Sequence, residues 1–228
     1  MIKFFFALIL FPTAAAAAIS SLGIFYSVFL NFKFTLPFSA GIAAYLAAHY
    51  FAGRPVRLYI LAHELTHAAA AMVSGVKVHA ISVGKSGGHV RLSDNNALIS
   101  LAPYCMPFYA VSAAVVYWVL CLVWRPEPYR NYFVAAAGFL MAFHAVNTAE
   151  TLTGCSQSDL VKAGGKFFSW SLIILCNSMV LLLALKLMYP EIAGVRIFGA
   201  EVGNWTVVFW VKIWTLAKTV SVYLWSKR

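Results

Sequence analysis

The sequence predicts an all-α polytopic membrane protein with six transmembrane helices, a seventh apolar segment near the end, and a short β-hairpin-like segment after the third. Three observations lead there. Hydrophobic residues make up 62% of the 228 residues and charged ones 11%, whereas a soluble domain is about half apolar and a quarter charged. Mean hydropathy is +0.81. Apolar stretches of the roughly 20 residues that cross a bilayer recur along the chain, separated only by short polar connections such as "NFK", "GRPVR" and "RPEPYR".

Taken in order, the spans are expected near 4–30, 34–52, 57–74, 97–124, 131–149 and 167–189, with 205–225 as the seventh. The first begins "MIKFFFALILFPTAAAAAISS", which has the lysine, short apolar core and small residues of a cleavable signal peptide. The run continues to Leu30, however, and cleavage would leave a stub too short to span, so a retained helix is expected. No connection is long enough for an independent soluble domain. The whole of 1–228 therefore reads as one membrane-embedded domain, with a core of about 57–189 and a C-terminal amphipathic or transmembrane helix in 190–228.

Two stretches break the helical rhythm. In "GVKVHAISVGKSGGHVRLSD", β-branched residues flank a glycine-rich centre, which predicts a hairpin rather than a surface loop. The alternation falters between Val78 and Ile81, where a bulge is expected. The second stretch, "NTAETLTGCSQSDLVKAGGK", is polar and lies between two spans. Irregular backbone at membrane depth survives only where protein or a water-filled cavity satisfies it, so this segment either lies outside the bilayer or dips inward to build a site. In the last stretch, Lys212, Thr215, Thr219 and Ser226 share a narrow face among Trp205, Trp210, Trp214 and Trp225. That suits a helix lying on the membrane or a packed final span.

The formal net charge is +10, but the lysines and arginines sit singly or in pairs between apolar runs. Anchoring at anionic headgroups accounts for them, and with no basic block or motif, nucleic acid is excluded as a partner. None of the four cysteines has CxxC spacing; Cys105, Cys121 and Cys176 lie in apolar runs and read as packing residues.

Within the third apolar run stands "YILAHELTHAAAAMVSG". Ionisable residues inside a span cost several kcal/mol even on lenient scales, which weighs against a purely structural cluster. His63-Glu64-Leu65-Thr66-His67 is HExxH. On a helix, residues i and i+4 stand one above the other, so His63 and His67 can grip one ion while Glu64, on an adjacent arc, reaches a water beside it. A catalytic zinc takes three protein ligands and one water. For the third ligand the composition offers His49, His79, His89, His144, Asp94, Asp159, Glu150 and Glu201 and does not choose among them.

An HExxH within an apolar helix, followed by a glycine-containing β-like segment and then by "ALISLAPYCMPFYAV", resembles the site-2 protease family of intramembrane zinc metalloproteases. The resemblance covers roughly Leu58 to Leu175; HExxH is its specific part. It implies a third ligand from an aspartate near the start of a later core helix. "QSDLVKAGGKFFSWSLIIL" supplies Asp159 in that setting. It also implies Zn2+, one per chain, held by His63, His67 and Asp159, with Glu64 as the catalytic base and Asn147 as a substrate or oxyanion contact. The chain departs from the family pattern: no proline lies between Asn147 and Asp159, and Leu160 stands where the family has glycine.

The activity implied is hydrolysis of peptide bonds within or beside the transmembrane segment of a substrate protein. The implied setting is a bacterial inner membrane, and the implied partners are the lipid bilayer, the transmembrane substrate and a separate regulatory membrane protein. Two other readings stay open. Membrane HExxH metalloproteases of the second type take a glutamate as third ligand, a part Glu150 or Glu201 would play. A non-proteolytic metal-binding transporter would array ionisable residues along several spans; here they concentrate around one motif and Asp159.

Overall fold

In the computed structural model, residues 2–85, 87–154, 157–191 and 193–227 are described; Cys155 lies outside them. The chain is mostly helical with one small two-stranded sheet. It forms two compact units: Phe29–Ser169, and the flanking segments up to Val28 and from Trp170 onward.

The flanking unit is built from long apolar helices. Helix α1 covers Ile2–Leu30 and keeps its course through Pro12. Its buried residues Ala14, Ala17, Ser21, Ile24 and Val28 recur at three- and four-residue steps, which lines them along one face. Helix α8, Lys166–Met188, and helix α9, Val195–Ser226, supply the rest.

The Phe29–Ser169 unit contains α2 (Phe32–Ala52), α3 (Val56–Val73), β1 (Val78–Val83), β2 (Gly88–Leu92), α4 (Ala97–Cys105), α5 (Phe108–Val123), a single 3-10 turn at Glu127–Tyr129, α6 (Arg130–Gly154) and α7 (Ser158–Ala163). Helices α2 and α6 pack together closely. At their crossing, a Cβ on Gly41 would collide with the backbone of Ala135, and one on Gly138 with the backbone of Phe38. Small residues let two backbones approach this closely, which is how helices without a water-driven contact gain dispersion energy. Beside this crossing, Tyr45, Tyr59, Ala142 and Phe143 form a buried cluster. Tyr45 meets Phe139 edge to face at 5.2 Å.

The hairpin is present where the alternation predicts it. β1 and β2 pair antiparallel, with the register slipping between Val78 and Ala80, the position of the expected bulge. Both strands pack on α3, which also meets α4 and α5; α4 in turn meets α7. Helix α3 is thus the hub of this unit, and α4 bridges it to α7.

The span count is lower than the apolar runs suggest. Among the described residues, four helices are long and apolar enough to cross a membrane: Ile2–Leu30, Glu127–Gly154, Lys166–Met188 and Val195–Trp225. A fifth is reached if α4 and α5, bent by 77° at their break, count as one span. The expected run 97–124 is interrupted because Met106 takes an extended conformation and Pro107 starts the next helix; proline has no N–H to continue the first. Helices α2 and α3 form over 34–52 and 57–74 but fall short in apolarity. α2 carries Ser39 and His49 among its apolar residues, and α3 carries the HExxH motif.

Candidate metal centre

The site is assembled from α3, the hairpin, α4 and α7. On α3, His63 and His67 are one turn apart, with ring centroids 4.8 Å apart and planes at 83°. Helix α7 brings Asp159 to them: its Oδ2 lies 3.7 Å from His63 Nε2 and 3.7 Å from His67 Nε2. One donor atom from each of the three residues lies within 4.8 Å of the others. Of the eight candidates for a third ligand, Asp159 is the one the fold delivers to the two histidines.

The six-residue α7 is held in place from both ends. Leu160 and Ala163 are buried, and the Leu160 carbonyl accepts from the Gly165 N–H at 3.0 Å and from Ser169 Oγ at 2.9 Å. Gly164 and Gly165 follow with φ of 144° and 100°, a region that side chains rarely enter. They end the helix within a turn of Asp159.

Around the candidate ligands, hydrogen bonds select the orientation of His67 and Asp159, while the buried His63 Nδ1 has no hydrogen-bond partner among the described residues. His67 Nδ1 donates to the Ile99 carbonyl at 2.8 Å, which leaves Nε2 as the nitrogen facing Asp159. The Tyr104 hydroxyl donates to Asp159 Oδ2 at 3.0 Å. Burial acts to raise the Asp159 carboxyl, but the two imidazoles and the Tyr104 hydroxyl outweigh it and hold the group well below the usual carboxylate range.

Glu64 is only 6% exposed, and among the described residues its side chain makes no hydrogen bond. The backbone of β2 passes directly over it: a Cβ built on Gly88 would stand 2.7 Å from Glu64 Cγ. The hairpin therefore forms one wall of a cleft of about 600 Å³, lined also by His63, His67, Asp159, Arg54 and Lys162.

Of the other candidates, His89 and Glu150 also line the cleft, but neither is grouped with the two histidines within ligand reach. Asn147 is fully buried, and its Nδ2 donates to the Tyr45 hydroxyl at 2.6 Å and the Phe143 carbonyl at 2.8 Å. Its Oδ1 accepts from Arg54 Nε at 3.3 Å. It does not line the cleft; it holds Arg54, which does. Glu150 is engaged by His49 at 2.8 Å and by Arg54 at 3.3 Å. His144 is buried on α6 with Thr148 Oγ1 3.5 Å away. Asp94 is exposed and accepts from the Asn95 N–H at 2.7 Å. Nothing in the sequence singles out Arg54, Tyr104 or Ile99. "GRPVR" and "ALISLAPYCMPFYAV" carry no local pattern that marks them, because their contacts are made across elements.

The donor set can be tested against a cation. Zinc with bonds of about 2.0–2.2 Å in a tetrahedron places its ligand atoms roughly 3.4 Å apart. The two 3.7 Å separations to Asp159 fall within a few tenths of an ångström of that. Two neutral imidazole nitrogens and one carboxylate oxygen are the ligand types zinc takes, and the fixed His67 tautomer is the outer-contact pattern of metal-binding histidines. The residues fit the ion. Comparison of the chain with protein-family models, with characterised proteins and with solved structures gave no match.

Proposed function

We propose that the chain is an intramembrane zinc metalloprotease of the site-2 type, cleaving a peptide bond within or next to the transmembrane segment of another protein. The observation that carries this reading is the convergence of His63, His67 and Asp159 beside a buried glutamate in one cleft. His63, His67 and Asp159 would hold the metal. Bound zinc would supply Lewis acidity and make a water acidic enough to ionise near neutral pH.

Glu64 carries the proton traffic. Its carboxylate takes a proton from the attacking water and passes it to the amine nitrogen as the C–N bond breaks. The substrate helix has to unwind first, since a helical carbonyl is hydrogen-bonded and shielded. The hairpin offers a way to hold the unwound peptide: in a two-stranded sheet each strand keeps one unpaired edge, and an extended peptide can add to such an edge. Proline substitutions in the strand that leave zinc content intact and do not slow cleavage would count against that part.

The glutamate-liganded alternative is disfavoured by Glu150, whose carboxylate is already engaged by His49 and Arg54. The test is zinc content and cleavage of a model transmembrane substrate for wild type, Glu64→Gln and Asp159→Ala. One zinc per chain, kept in Glu64→Gln with activity gone and lost in Asp159→Ala, is expected. Zinc and activity surviving Asp159→Ala would move the third ligand elsewhere, and zinc-free wild type would end the enzyme reading.

A further inference from the structure

We infer that Tyr104 is a positioning residue of the metal centre and that α4 is the element that orients the whole ligand set; this rests on the zinc-site reading above. The three ligands come from two elements, α3 and α7, and α4 packs against both. It carries an outer contact to each ligand. Its Ile99 carbonyl accepts from His67 Nδ1 at 2.8 Å. Its Tyr104 hydroxyl donates to Asp159 Oδ2 at 3.0 Å. The Tyr104 ring meets the His63 ring edge to face, with centroids 5.2 Å apart and planes at 81°.

The chemistry of the carboxylate gives the hydroxyl its role. A free aspartate turns about χ2 and exchanges its two oxygens. A fully buried tyrosine that donates to Oδ2 selects that oxygen, the same atom that lies 3.7 Å from both imidazoles. An ionised carboxylate oxygen has a second lone pair, which remains for the cation. Gln157 Oε1 is the other acceptor within reach, at the longer 3.4 Å. The Gln157 amide is itself oriented by donating to the Thr151 carbonyl at 3.0 Å.

The local structure of α4 keeps these two groups in place. Asn96 caps its start by accepting from the Ile99 N–H at 2.9 Å, which fixes the residue whose carbonyl holds His67. Its end breaks from α5 at Met106–Pro107 with the 77° bend. The bend frees α4 from following the direction of α5 and lets it lie across α3 and α7.

The experiment uses the full chain in detergent, with zinc affinity read by competition against a chromophoric chelator and the site geometry by the visible absorption of bound Co2+. Tyr104→Phe keeps the ring against His63 and removes only the hydroxyl. Tyr109→Phe is the control, because its hydroxyl donates to the Leu58 carbonyl of α3 at 2.9 Å and touches no ligand. Loss of an outer contact costs about 10- to 100-fold in metal affinity. That loss, with a shifted cobalt spectrum and an unchanged melting temperature of the metal-free protein, is expected for Tyr104→Phe alone. Unchanged zinc affinity in Tyr104→Phe would overturn the inference, and so would an equal loss in both variants. Wild type that binds no zinc would instead overturn the underlying metal-site reading.

Discussion

Alanine at Gly88 would place a methyl carbon 2.7 Å from Glu64 Cγ, 2.8 Å from Ile60 Cγ2 and 2.9 Å from Glu64 Oε1. Carbon atoms in contact prefer about 3.5–4.0 Å, so these approaches are short by roughly 1 Å. Two of the three atoms belong to Glu64, whose side chain turns more readily than the paired strand backbone moves. The stability cost should stay in the overpacking range of about 1–3 kcal/mol. The carboxylate, however, shifts by about 1 Å, and a displacement of that size at a reacting group costs on the order of 100-fold in rate. Cleavage of a transmembrane reporter, read beside zinc content, checks this. A rate roughly 100-fold lower with full zinc is expected, because the three atoms nearest the methyl belong to Glu64 and Ile60 and none to His63, His67 or Asp159. Gly87→Ala is the control, since a Cβ there has nothing within 4 Å. Wild-type cleavage by Gly88→Ala with zinc retained would refute the positioning of Glu64 by the strand.

Three further outcomes follow from the packing and the ligand set. Gly138→Leu drives a side chain into the backbone of Phe38 at the α2–α6 crossing and should lower stability by at least about 1–3 kcal/mol; its thermal midpoint, compared with that of Gly154→Ala, where a Cβ meets nothing within 4 Å, reads this out. Asn147→Ala removes one partner from the buried Tyr45 hydroxyl, which keeps His49 Nδ1 at 3.2 Å, and one from Arg54 Nε, which keeps Glu150 Oε2 at 3.3 Å. It should cost about 0.5–1.5 kcal/mol for each hydrogen bond lost, seen in thermal unfolding with zinc content unchanged. Stripping zinc with a chelator should lower the midpoint of wild type, by about 2.7 kcal/mol of lost binding free energy if zinc had stood at 100 times its dissociation constant. It should leave Asp159→Ala unmoved, and an identical response from both proteins would argue against Asp159 as a ligand.

The parts of this molecule that the sequence makes legible are those set by local spacing. HExxH announces its two histidines and its glutamate because a helix brings i and i+4 together whatever surrounds it. The hairpin and its bulge were readable for the same reason, as β-branched runs around Gly84, Gly87 and Gly88 leave few other conformations. Long apolar runs such as those in α1 and α8 declared themselves by composition. Spans are less legible where a run is interrupted by one proline, as at Pro107, or diluted by a polar site, as in α3.

What tertiary structure decided is the choice among groups that composition leaves equal. Eight residues could have been the third ligand, and Asp159 is distinguished only because α4 holds α7 against α3. Asn147, expected at the substrate, is instead occupied by Tyr45, Phe143 and Arg54. Tyr104, which no motif marks, touches His63 and Asp159 at once. The sequence by itself determined the helix-borne half of the centre, since that half is closed by one turn of backbone hydrogen bonds. The other half depends on contacts between residues far apart in the chain, and only the packing of α4 and α7 brings those together.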